Sequence, residues 1–208
     1  MRCFERRRVI WRFQFPVLLV VLSLLIRPAH SQAASRDSQP HDWDINVWVA
    51  AETGEELLNN FSEAQILTAG VFAGKILTDE VGRSWRKGRF EYGMDLIPLF
   101  RQFRPEPLYG VGVEPVILRW NSSLHAGRVS PYIELAGGGV RTNVNLPAGN
   151  TSDFNFTARG GGGVLISRTP RHAVDVGVRW SHISNANLGV NNPEFNGIQV
   201  SVGYHWFK

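Results

Sequence analysis

Apolar and polar residues alternate with a period of two through most of the chain beyond residue 43. In the first such segment, Ile45, Val47 and Val49 fall on one face, and Asp44 and Asn46 fall on the other. This is the spacing of side chains along a β-strand rather than along a helix. Eight segments of this kind follow one another, and the one near residues 62–77 alternates least clearly. The pattern predicts an all-β chain of eight strands.

Polar stretches rich in glycine, proline and asparagine separate these segments and predict turns. They span residues 82–88, 101–107, 121–127, 143–153, 167–172 and 185–197. Between them we expect strands of roughly 10–13 residues, the length that a tilted strand needs to cross a bilayer. A sandwich or a closed barrel would accommodate eight strands, and closure is favoured because it removes the exposed edges.

The alternation fits both a soluble barrel with its apolar face inside and an outer-membrane barrel with that face toward lipid. Three features favour the membrane. The polar face carries acids and bases that would neutralise one another in a narrow lumen, and aromatic residues lie at the segment ends. The last segment of the chain is also rich in aromatic residues, Gly203–Phe207, and is followed by Lys208. We therefore predict an eight-stranded antiparallel β-barrel in a bacterial outer membrane, with a soluble periplasmic lipid-binding barrel as the alternative.

The first 33 residues have the pattern of a secretory signal peptide. A basic start is followed by the apolar run Val17–Ile26 and by the small residues Ser31 and Ala33. That run is too short for a spanning helix, which needs about 20 residues. Residues 34–42 then form a polar lead-in, and residues 43–208 form the barrel domain.

Charge and cysteine content exclude several classes of function. The net charge of +4 comes from arginines in the first 33 residues, and acidic and basic side chains nearly balance in the rest. A nucleic-acid partner is therefore not expected. The single cysteine, Cys3, also lies in the leader, which excludes a disulfide framework in the mature chain. The histidines outside the leader do not converge on a metal site, so we expect neither a metal nor a cofactor.

A histidine and a serine end the apolar face of the seventh segment. His182 and Ser184 follow Val178 and Trp180 at two-residue spacing, so they share a face about 6.6 Å apart along the strand. An imidazole can take the proton of a serine hydroxyl, and a third group usually orients the imidazole. With both chain ends in the periplasm, the pair lies at the outer rim of the barrel. It is either a catalytic pair or an interfacial polar strand end.

The run His182–Asn196 and the strand that follows it, Gly197–Phe207, resemble the C-terminal signature of the PagL-type lipid A 3-O-deacylases. This family is also described as acyloxyacyl hydrolase-like. The resemblance implies an outer-membrane barrel, surrounded by membrane lipids, that removes an ester-linked acyl chain from the lipid A of lipopolysaccharide without a metal. It implies that Ser184 is the nucleophile and His182 the general base. Asn185 is expected either to donate to the oxyanion or to close the strand as a turn residue.

The third member of the triad is where the chain departs from this family. The characterised enzymes have an acid fourteen residues after the histidine, and this chain has Asn196 there. Glu194 lies two residues earlier, and the sequence favours Glu194 and Asn196 equally as the group that orients His182. A third interpretation is an incomplete triad with weak or lost activity, and a fourth is a non-catalytic barrel. The sequence also leaves open which acyl chain is removed and whether the protein forms a homodimer.

Overall fold

The computed structural model describes residues 43–54, 64–124 and 128–208 of the 208-residue chain. The predicted signal peptide and lead-in lie outside the described residues. Within the part that is described, no helix is both long enough and apolar enough to cross a membrane.

Eight antiparallel strands form a closed barrel in chain order, with the last strand paired to the first. This confirms the predicted fold class. A three-residue 3-10 helix, Ser84–Arg86, lies between the second and third strands. The strands are β1 Trp43–Gly54, β2 Gln65–Ile76, β3 Gly88–Arg104, β4 Leu108–Ser122, β5 Val129–Leu146, β6 Ser152–Thr169, β7 His172–Ser184 and β8 Phe195–Phe207.

The middle strands are longer than the sequence predicts. β3 to β6 contain 17, 15, 18 and 18 residues, which corrects the expected range of roughly 10–13 residues. Two of the predicted turns are largely strand, because Arg101 pairs with Tyr109 across the β3–β4 hairpin and Leu146 pairs with Ser152 across the β5–β6 hairpin. Backbone groups at a hairpin end that pair with each other need no other partner.

The alternating apolar faces point outward, as the sequence predicts, except on β2, where Ile66, Phe72 and Ile76 are buried. Ile133 and Leu135 are each 64% exposed, whereas Glu134 between them is 5% exposed and points into the lumen. The same division holds on β1, where Val47 and Val49 are exposed and Asn46 is buried. An apolar outer surface around a polar interior is the arrangement of a membrane barrel.

Ion pairs among buried arginines and carboxylates fill the middle of the lumen. Arg159 donates to Asp95 at 2.8 Å and also to Glu114. Arg119 lies 2.9 Å from Glu134, and Glu134 also accepts a hydrogen bond from Arg179. Each of these buried charges therefore has a partner of opposite sign, which burial requires.

An apolar cluster closes the lumen at the end that carries the β7–β8 loop. Its buried members include Ile66, Phe100, Leu146, Ile183 and Phe195. Ile183 is next to the last residue of β7, and Phe195 is the first residue of β8. The cluster thus anchors the end of β7 and the start of β8, where the predicted catalytic residues lie.

Candidate active site

The two residues singled out in the sequence lie side by side on the outer wall of β7. His182 and Ser184 are half-buried, while Ile183 between them points into the apolar cluster. Nε2 of His182 is 3.1 Å from Oγ of Ser184, which is hydrogen-bonding distance. The extended backbone of β7 brings the imidazole and the hydroxyl together because alternate residues share a face.

Asn196 holds the other side of the imidazole. It is the second residue of β8 and pairs directly with His182 across the β7–β8 ladder. Its Oδ1 is 2.8 Å from Nδ1 of His182. An amide oxygen can only accept, so the proton of the neutral ring lies on Nδ1 and Nε2 is left to accept from Ser184. Ser184, His182 and Asn196 thus form one chain of hydrogen bonds.

Glu194 does not take part in this chain of hydrogen bonds. It is exposed and precedes β8, whereas the Nδ1 atom of His182 is occupied by Asn196. The predicted turn at 185–197 ends at residue 194, since Phe195 already pairs with Ile183 in the sheet. Of the two candidates that the sequence favoured equally, the geometry therefore brings Asn196 to the histidine.

Asn185 lies on the inner side of the strand end and is 1% exposed. Its backbone N–H donates to Oδ1 of Asn192 at 2.8 Å, and its Nδ2 donates to the carbonyl of Asn191 at 2.8 Å. These bonds tie the start of the β7–β8 loop to its end. They support the interpretation of Asn185 as a turn residue, and its role toward an oxyanion stays a prediction.

A tight turn fixes the backbone that follows the serine. Ala186 and Asn187 both have positive φ angles, of 50° and 64°, and the N–H of Leu188 donates to the carbonyl of Asn185 at 2.9 Å. Two consecutive left-handed residues closed by such a bond are typical of a type I′ turn. The loop also bonds to the β5–β6 loop, where the N–H of Asn191 donates to the carbonyl of Asn150 at 2.9 Å. Ser184 therefore ends the strand, and these hydrogen bonds hold the backbone that follows it in place.

Aromatic side chains surround the pair on the outer wall. The rings of Trp180 and His182 stack with centroids 5.8 Å apart and 22° between their planes. Phe156 pairs with Ser184 across the β6–β7 ladder and packs edge-on against Phe154. Phe154, Phe156 and Trp180 are among the aromatic residues that the sequence shows at the segment ends, and the strand register makes them neighbours of the site.

A family model for lipid A 3-O-deacylase (PagL) matches residues 73–205. This chain belongs to that family. The matched range begins on β2 and ends on β8, so it contains His182, Ser184 and Asn196. The family resemblance seen in the sequence is confirmed, whereas no curated protein sequence matches the chain.

Solved structures that are similar to this barrel include an outer membrane enzyme and a surface protein. The crystal structure of the outer membrane enzyme PagL has 16% identity and a TM-score of 0.58, covering 76% of this chain and 97% of its own. The crystal structure of Neisserial surface protein A (NspA) has 17% identity and a TM-score of 0.54, covering 79% of this chain and 96% of its own. These likenesses show a shared fold. Together with the family, they place this lipid A 3-O-deacylase family member in the bacterial outer membrane, and they give no support for a homodimer.

Proposed function

We propose that this chain is an outer-membrane esterase that hydrolyses an ester-linked acyl chain of lipid A. Family membership supports the reaction class. The observation that carries the proposal is the hydrogen-bond chain Ser184–His182–Asn196, with distances of 3.1 Å and 2.8 Å, on the lipid-facing wall. A soluble substrate would have little access to that wall, whereas the ester bonds of a membrane lipid lie against it.

Ser184 is the nucleophile in this proposal. Its Oγ attacks the ester carbonyl carbon while Nε2 of His182 takes the hydroxyl proton. The tetrahedral intermediate collapses when the bond to the sugar oxygen breaks, and the histidine returns the proton to that oxygen. Water then attacks the acyl-serine, again losing a proton to His182, and the fatty acid leaves as Ser184 is regenerated.

Asn196 is a positioning residue that acts through His182. Its amide oxygen keeps the proton of the neutral imidazole on Nδ1 and holds the ring in the plane that directs Nε2 at Ser184. Asparagine has this role in Cys–His–Asn proteases. Unlike a carboxylate, it adds no negative charge beside the imidazolium that forms during the reaction.

The test is the mass spectrum of lipid A from bacteria that express the wild type or Ser184→Ala. We expect the wild type to remove an acyl chain and Ser184→Ala to leave lipid A intact while the barrel still inserts. Removal of a triad member typically costs a factor of roughly 10⁴ or more in rate. The substitution removes one half-buried hydroxyl on the outer wall, so folding should be unaffected.

Ser181→Ala is the matched control. This serine is on the same strand, but it is 3% exposed and faces the lumen, so its loss should leave lipid A deacylation intact. An unchanged lipid A in cells with well-inserted wild-type protein would contradict the proposal and favour a non-catalytic barrel. So would a Ser184→Ala protein that deacylates as fast as the wild type.

A further inference from the structure

Arg141 lies on the outer wall two strands away from Ser184. It pairs with Phe154 of β6, and Phe156, two residues along β6, pairs with Ser184 of β7. With about 4.8 Å between strands and about 3.3 Å per residue, the Cα atoms of Arg141 and Ser184 are roughly 12 Å apart. An arginine side chain from this position reaches the headgroup of a lipid whose ester lies at Ser184.

The guanidinium of Arg141 is held from one side only. Its Nε donates to Oδ2 of Asp153 at 3.1 Å, and the two side chains are 73% and 43% exposed. Within the described part of the chain, its two terminal nitrogens contact no protein acceptor. Those nitrogens form the fork that binds phosphate or carboxylate oxygens in pairs. Asp153 therefore orients the guanidinium while its donor fork stays available.

Arg141 is also the one cation beside the site among the described residues of β5 to β8. Arg159 and Arg179 on these strands are buried in the lumen and already paired. The remaining basic residues of this part of the chain lie at the opposite end of the barrel; they are Arg128, Arg168, Arg171 and Lys208. An anionic headgroup near Ser184 therefore meets this arginine first.

We propose that Arg141, oriented by Asp153, binds a phosphoryl group on the headgroup of the lipid A molecule whose ester Ser184 attacks. This inference rests on the proposed function. It explains why the protein would select phosphorylated lipids over lipids with neutral headgroups. An exposed pair such as Arg141–Asp153 contributes little stability by itself. A phosphoryl group adds two charge-assisted hydrogen bonds without breaking that pair.

The test measures binding rather than cleavage. Ser184→Ala protein in detergent micelles is titrated with lipid A that carries its phosphoryl groups and with the same lipid after dephosphorylation. We expect the phosphorylated form to bind about tenfold more tightly, the effect of a charge-assisted pair at an exposed site. Adding Arg141→Gln should abolish this preference, and adding Asp153→Asn should reduce it. Arg171→Gln, an exposed arginine at the other end of the barrel, is the matched control and should keep the preference.

Equal affinity of Ser184→Ala protein for the two lipids would overturn the proposal, and so would a preference that survives Arg141→Gln. Inorganic phosphate, added as a competitor, distinguishes a site for a lipid headgroup from a site for any free anion. We expect the preference to persist, and its loss in dilute inorganic phosphate would assign the site to free anions and overturn the headgroup assignment. Because no ester is cleaved in this assay, its outcome is independent of whether the wild type releases a fatty acid.

Discussion

Asn196 gives the site a neutral orienting group. Its Oδ1 lies 2.8 Å from Nδ1 of His182, so the imidazole is aligned with Ser184 without a nearby negative charge on that side. In the proposed reaction the ring becomes an imidazolium as Ser184 loses its proton, and an adjacent carboxylate would stabilise that charge more than an amide does. The site therefore has the alignment that catalysis needs, with less electrostatic stabilisation than a carboxylate would give.

Replacement of this amide by a carboxylate should raise the rate, and its replacement by an apolar side chain should lower it. We expect Asn196→Asp to increase the turnover of lipid A by roughly tenfold, because a charged hydrogen bond is about twice as strong as a neutral one. Asn196→Leu should lower turnover because the ring loses its partner on Nδ1. Initial rates of fatty-acid release in detergent micelles measure both effects.

Glu194→Gln tests which of the two residues favoured equally by the sequence, Glu194 or Asn196, orients His182. Since Glu194 is exposed and Asn196 occupies Nδ1 of His182, we expect turnover by Glu194→Gln to equal that of the wild type. A large loss of turnover in Glu194→Gln, together with an unaffected Asn196→Leu, would show that the loop rearranges and that the glutamate orients the histidine.

The site could be predicted in part from local spacing. His182 and Ser184 are two residues apart on one strand, so the period of two alone places them on one face. The partner of His182 is set by the register between β7 and β8, in which His182 lies opposite Asn196. Register depends on pairing across the sheet and on where the loop ends, and neither is visible in a local alternation.

At the scale of the strands, the sequence pattern predicts which side chains point inward and which point outward. It does not predict where the strands end. Alternation marks the faces because a single wrong residue would put a charge against lipid or an apolar group in the lumen. The strand ends depend on how far a hairpin stays paired. Arg101 and Leu146 lie in polar, proline-containing stretches and are nevertheless paired in β3 and β5. Composition alone therefore predicted turns that are too long.

Inside the barrel, Arg159 connects strands that are distant in the sequence. From β6 it reaches Asp95 on β3, Glu114 on β4 and Gln199 on β8. Removing this guanidinium leaves two carboxylates buried without their cation. Such a loss typically costs about 3–5 kcal/mol of the free energy of unfolding.

We therefore expect Arg159→Met to destabilise the barrel by about 3–5 kcal/mol. Arg141→Gln removes an equally charged but exposed side chain and should change stability by less than about 1 kcal/mol. Urea unfolding in lipid vesicles, followed by tryptophan fluorescence, measures both values. If the two variants unfold at the same urea concentration, the lumenal ion pairs do not hold the strands together.

For the molecule as a whole, the position of the site depends on which end of the barrel faces out of the cell. The first described residue and the last pair at one end, where the N–H of Trp43 donates to the carbonyl of Lys208 at 2.8 Å. The β7–β8 loop and Ser184 lie at the opposite end. Lipopolysaccharide lies in the outer leaflet, so the proposed reaction requires this second end to face the exterior.

Single cysteines at the two ends test this orientation. Val190 in the β7–β8 loop is 86% exposed, and Trp85 in the β2–β3 connection at the other end is 67% exposed. The described residues contain no cysteine, so a new thiol on the barrel is the only one there that reacts. We expect a membrane-impermeant maleimide to label Val190→Cys in intact cells, and to label Trp85→Cys only after the outer membrane is opened. The reverse labelling pattern would place Ser184 in the periplasmic leaflet, away from lipopolysaccharide, and the proposed substrate would be wrong even with an intact Ser184–His182–Asn196 chain.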